Sequence, residues 1–138
     1  MPDSVRIVLF PSEEAAQTNG DFYVVEEADD LGNPKLIGGK LLPNETPDQA
    51  ILRETEEEAG VQPDEVTIHW ATDLENEDGS SKRHIFYGWL KPGVVHRPTG
   101  EIATINLFNE STLPRTAKNL GHMTTAAHEV RLIIPTEP

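Results

Sequence analysis

The chain has 138 residues and a net charge of −13, from 24 Asp plus Glu against 11 Lys plus Arg, and it lacks cysteine; its length predicts one domain over 1–138 that buries roughly two thirds of its unfolded surface. Without Cys there is no disulfide scaffold, thiolate metal site or cysteine nucleophile. With no signal-peptide pattern and no apolar run near the ~18 residues of a membrane span, the expectation is a cytoplasmic protein with no membrane partner. The acidic balance repels a phosphate backbone and argues against a nucleic-acid partner, and an anionic substrate would need positive charge from another source, for which a metal ion is the obvious candidate.

The first predicted element is a half-buried strand over 5–10, interrupted by Arg6. Asn19-Gly20 signals a turn, and a second strand follows over 22–27. After the turn at 30–34, a strand-like piece over 35–37 runs into Gly38-Gly39. Thr46, Pro47 and Gln49 then spell a capping box with proline at the first helical position, and Gly60 is placed for a left-handed stop, which predicts a helix over 47–59. A strand over 66–74 should turn Val66, Ile68, Trp70 and Leu74 to one face. Beyond a turn over 77–81 come strands over 83–90 and 102–108. Met123, Ala126, Ala127, Val130 and Ile133 recur at helical spacing, predicting a core-facing helix that stops before Pro135. The order of strands, helix, strands and helix predicts a mixed α/β or α+β fold with helices packed on a sheet.

Chemistry concentrates in residues 39–61. On the helix over 47–59, Glu54, Glu57 and Glu58 stand at i, i+3 and i+4 and share a face, while Ile51, Leu52, Thr55 and Ala59 form a less polar one. Taken alone, such an acidic run reads as a solvated helix face. It is also a repulsive arrangement that a cation would relieve, and carboxylate oxygens are the hard ligands Mg²⁺ prefers. Gly38-Gly39 would let the backbone approach closely enough to add a carbonyl.

The wider spacing is more specific. Gly39, Glu45, Arg53-Glu54, Glu57-Glu58, Gly60 and Val61 together resemble the Nudix box, G-x5-E-x7-R-E-U-x-E-E-x-G-U with U a bulky aliphatic; the one departure is Thr55 at a U position. The resemblance implies a mixed β-sheet sandwiched between helices, with the box as a loop-helix-loop. It also implies hydrolysis of a nucleoside diphosphate linked to another moiety, by attack of water on phosphorus with Mg²⁺ or Mn²⁺. By position, Gly38 (through its carbonyl), Glu54, Glu57 and Glu58 would be metal ligands, and Glu54 could instead serve as the base. Arg53 would pair with a box carboxylate, and Glu45 looks structural. Glu101 matches an extra glutamate that some members use as base or ligand. Ile37 stands where the family's P-G-G-K entry has proline, and Leu107 where a later segment has tryptophan. Gly39, Lys40, Tyr23 and Arg83 are the candidates for touching substrate, with Glu27 beside Tyr23.

Other residues take plain readings. The five histidines show no metal-ligand spacing, and Trp70, Phe86, Tyr87 and Trp89 are expected in the core. Residues 70–81 lack the proline and the tyrosine that mark ADP-ribose and dinucleoside polyphosphate hydrolases in this family, and the arrays of NADH and coenzyme A hydrolases are absent too. By elimination the resemblance implies a (deoxy)nucleoside triphosphate cleaved to monophosphate and pyrophosphate. The alternatives are an ADP-ribose or nucleotide-sugar pyrophosphatase, or a catalytically silent nucleotide-binding module. The partner is then a small nucleotide diphosphate derivative, and the sequence leaves a homodimer open.

Overall fold

In the computed structural model β1 (Ser4–Phe10) lies inside a four-stranded sheet, antiparallel to β3 (Ile37–Lys40) and parallel to β5 (Lys82–Leu90), with β4 (Val66–Glu75) on the far edge. The structure describes residues 2–18, 20–76, 78–97, 99–115 and 117–134, so Asn19, Glu77 and Pro135, expected as punctuation, lie outside it. β2 (Phe22–Glu27) and β6 (Ile102–Phe108) pair antiparallel in a second sheet, and Val25 bridges to Lys35. Three helices complete the mixed α+β fold: α1 (Glu13–Gln17), α2 (Pro47–Ala59) and α3 (Leu120–Ile133). Among the described residues no helix is long and apolar enough to cross a membrane.

Sequence alternation sends the core to both faces of the large sheet. Val5, Ile7 and Leu9 pack with Ala50, Ile51 and Ala59 of α2, whereas Val8 and Phe10 pack with Ala16 of α1 and with Met123, Ala126 and Val130 of α3. The half-buried reading of β1 is therefore corrected. Strands on both flanks and helices on both faces bury nearly all of it, as befits a central strand. Arg6 is its one charged residue, and it points to the α3 face. Near the chain start, Asp3 accepts from the Lys82 backbone N–H (2.9 Å) and meets His84 Nε2 (2.9 Å), which ties the entry to β1 onto β5.

Three further expectations change. The short helix α1 was not anticipated; Ser12 caps it by accepting from Ala15 N–H (3.1 Å). The single apolar face expected of β4 is divided. Its pairing with β5 shifts register between Trp70 and Thr72, so Val66 and Ile68 pack on the α2 side while Ala71 and Leu74 pack on the α3 side. At this bulge Trp70 is 58% exposed, not in the core, and its indole N–H donates to Asp73 Oδ1 (2.9 Å). At the end of α3 the expected core residue Ile133 is exposed. The helix stops there, and the extended backbone of Ile134 (φ −71°, ψ 122°) carries that side chain inward instead.

Candidate active site

The helix α2 is built as its sequence dictates. Thr46 Oγ1 accepts from Gln49 N–H (3.2 Å), Gln49 Oε1 accepts from Thr46 N–H (3.0 Å), and Gly60 closes the helix at φ +68°. Thr55 occupies its aliphatic position by donating its hydroxyl back to Ile51 O (2.7 Å), so its own buried hydroxyl is satisfied. The loop after β5 completes the helix end: Arg97 N–H donates to Ala59 O (2.7 Å), and the Thr99 hydroxyl donates to Glu57 O.

Arg53 organises the acidic face. Its Nε and one terminal nitrogen hold both oxygens of Glu45 (2.8 and 3.0 Å), and its other terminal nitrogen donates to Glu54 Oε1 (2.8 Å) and Glu57 Oε2 (3.2 Å). It also donates to Lys40 O (3.2 Å). Glu45, gripped by Arg53 and by Leu42 N–H (2.9 Å), is held well below the usual carboxylate range, at about 2. Glu58, 8% exposed, accepts from Gly38 N–H (2.8 Å), with Lys35 Nζ 4.0 Å away. Burial pushes its carboxyl up to about 7, against the opposing pull of the Gly38 N–H.

A cleft of 610 Å³ opens beside Glu54, Glu57 and Glu58. Glu27, Glu54, Glu57, Glu58 and Glu101 line it together with Lys35, Gly38, Gly39 and residues 99–102. Glu54 (9% exposed) lies so close over Gly39 that a Cβ there would stand 2.6 Å from its Oε1. Glycine at 39 is thus the space the Glu54 carboxylate occupies. At Gly38 (φ +150°) a Cβ would meet Val5 O at 2.0 Å, which is how this strand lies flush against β1.

Of the candidates read from the sequence, Gly38, Gly39, Glu54, Glu57, Glu58 and Glu101 come together here, with Arg53 behind them. Three do not line the cleft. Lys40 is exposed and offers Arg53 its carbonyl. Tyr23 is 5% exposed in the core, its ring against His96 at a centroid distance of 4.6 Å. Arg83 lines a separate cavity under α3. Sequence reasoning missed Lys35, which forms an ion pair with Glu27 inside the cleft. Its position three residues before Gly38 was the available signal.

The donor set is all oxygen, which suits a hard divalent cation, and Glu57, with a side chain 57% exposed, can turn toward the cleft. Among the described residues no three His, Asp or Glu groups already converge as metal ligands. The carboxylates lean on Arg53 and on Gly38 N–H, the partners that offset their mutual repulsion. A cation would fit this set by taking over part of that role.

The NUDIX domain family model matches residues 2–126. The chain belongs to the Nudix family. Nudix hydrolases are pyrophosphohydrolases that generally use divalent metal ions, and this Nudix hydrolase keeps the family fold across nearly its whole length. A C. elegans Ap4A hydrolase superposes with a TM-score of 0.75 at 16% identity, over 96% of this chain and 97% of that one. An E. coli dihydroneopterin triphosphate pyrophosphohydrolase gives 0.70 at 15%, over 97% and 95%. An ADP-ribose pyrophosphatase from Streptococcus suis gives 0.68 at 16%, over 99% and 94%. No curated protein matches the sequence.

Proposed function

We propose that the 138-residue chain is one Nudix domain that hydrolyses a nucleoside diphosphate-linked anhydride with Mg²⁺ or Mn²⁺, its leading substrate a (deoxy)nucleoside triphosphate cleaved to monophosphate and pyrophosphate. One observation carries the reading. The cleft sets five carboxylates against one lysine, so it would repel the anionic substrate unless cations enter with it.

Glu57 and Glu58 would hold the metal, with Glu54 and the Gly38 carbonyl as further ligands. A divalent cation bound there supplies positive charge to the anhydride and makes water more acidic. Arg53 keeps Glu54 and Glu57 in place through the bonds described, while Glu45 anchors Arg53 from behind. Glu54 or Glu101 accepts the proton of the attacking water as the new P–O bond forms and the anhydride P–O bond breaks. Positioning and electrostatics suffice for such a reaction, because phosphoryl transfer asks little covalent work of the protein.

A panel of nucleoside triphosphates, ADP-ribose, nucleotide sugars and dinucleoside polyphosphates, assayed with Mg²⁺ and Mn²⁺, tests the reading. Metal-dependent release of pyrophosphate from a triphosphate is expected, and ¹⁸O-labelled water identifies the phosphorus attacked. If no anhydride is cleaved under either metal, the reading fails.

A further inference from the structure

Two arginines beneath α3 lack a direct ion pair: Glu58, Glu54 and Glu27 act on Arg6 only from a distance, and Arg83 shares no salt bridge with Glu75 or Asp78 of the neighbouring groove. Arg6 of β1 and Arg83 of β5 are diagonal neighbours across the parallel pair, in which Ser4 faces Arg83 and Arg6 faces Ile85, so both project from the α3 face. With Lys35, Asn119 and His122 they line a cavity of 40 Å³ whose remaining walls are apolar and which contains no carboxylate. Arg6 donates one N–H to Leu36 O (2.9 Å). Among the described residues neither arginine forms an ion pair, although the chain carries 24 Asp and Glu. Arg83 Nε is buried with no hydrogen-bond partner at all. A buried guanidinium donor left unmet is costly, and an anionic oxygen entering the cavity would satisfy it.

The cavity is also placed for a substrate. Lys35 lines both it and the box cleft, while Arg83 and His122 line both it and an outer groove of 750 Å³ beside the β4–β5 hairpin, whose rim also carries Glu75 and Asp78, so the box side, with cations bound, is the approach open to an anion. α3 begins at this cavity with no acidic residue in its first turn, so the positive end of its dipole adds to the guanidinium charge. At about 10–15 Å³ per water the space holds about three waters, enough for the peripheral oxygens of a phosphoryl group and too little for a nucleobase. Arginine's planar fork matches phosphate oxygens.

We propose that the Arg6–Arg83 cavity is an anion subsite for a phosphoryl group of the substrate beyond the two joined by the scissile anhydride. The enzyme then favours nucleoside tri- and polyphosphates over diphosphate-linked compounds that carry only two phosphoryl groups. This deepens the hydrolase reading and rests on it for the role of the box.

The test compares the full chain with Arg83→Gln, and with Arg83→Lys as a variant that keeps the charge. In EDTA, where no cation recruits anions to the box, inorganic tripolyphosphate measured by calorimetry should bind the Arg83→Gln chain about tenfold more weakly than the native one, with Arg83→Lys in between. With Mg²⁺, the kcat/KM of a nucleoside triphosphate relative to the diphosphate of the same nucleoside should fall about tenfold in Arg83→Gln. Circular dichroism checks that each variant is folded, and if Arg83→Gln is not, Arg83→Lys carries the comparison. Equal tripolyphosphate affinity in native and variant chains, or an unchanged triphosphate-to-diphosphate ratio, overturns the subsite. Anhydrides that all resist cleavage, while tripolyphosphate binding still depends on Arg83, would refute the hydrolase reading and support the anion site.

Discussion

The cleft beside α2 and the cavity beneath α3 share Lys35, yet one is walled by five glutamates and the other by two arginines and a histidine. The acidic side is organised from within. Arg53 alone contacts Glu45, Glu54 and Glu57, and Gly38 N–H meets Glu58, so its charges are held in place before any ligand arrives. On the basic side Arg6 donates to Leu36 O, while among the described residues neither arginine forms an ion pair and Arg83 Nε is left without an acceptor. Net charge averages these two regions into a single acidic number. Under the proposed reading the two regions divide the work, one holding cations and the other meeting the anion directly.

The largest expected effect breaks the acidic side. Glu57→Gln removes a carboxylate proposed to hold the metal, on an exposed part of α2, so kcat should fall about 10²–10³-fold while circular dichroism and thermal midpoint stay near those of the native chain. A variant that keeps near-native metal-dependent turnover would contradict the metal assignment.

The two glycines of the loop separate stability from activity. Gly38→Ala drives a methyl into Val5 O, a backbone atom that cannot move aside, at a left-handed φ. Urea unfolding should show a loss of about 2–4 kcal/mol. Gly39→Ala meets only the Glu54 carboxylate, the far end of a flexible side chain. Stability should change by less than about 1 kcal/mol, whereas kcat should fall about tenfold as Glu54 is displaced. Equal stability losses in the two variants would show that the cradle around Glu54 is rigid.

The smallest effect sharpens the contrast through pH. Glu45 titrates at about 2 in the folded chain against an ordinary 4.5, because Arg53 and Leu42 N–H favour its charged form. Its contribution is fully present above pH 4.5 and is lost as pH falls toward 2. Thermal midpoints measured between those values should therefore drop less steeply in Glu45→Gln than in the native chain. Parallel curves would show that the Arg53–Glu45 bond adds nothing to folding.

Local chemistry made much of this legible in advance. Thr46, Pro47, Gln49 and Gly60 specify where α2 starts and stops because caps are satisfied by near neighbours, and the helix runs Pro47–Ala59 as read. The spacing of Glu54, Glu57 and Glu58 likewise needs only helical periodicity. The β4 bulge was not legible. Alternation predicts one face, and only pairing with β5 decides that Trp70 faces solvent while Leu74 crosses to the α3 side.

By itself the sequence determined the family, the acidic helix and the order of the strands, since each is written in residues close together along the chain. Tertiary structure alone decided that Glu101 joins the box across 43 intervening positions from Glu57, that Tyr23 is withdrawn into the core, and that Arg6 and Arg83 share a cavity. Those contacts depend on which strands pair and in which register. That choice is made by burying two apolar faces at once, a property of the whole chain that no short segment carries.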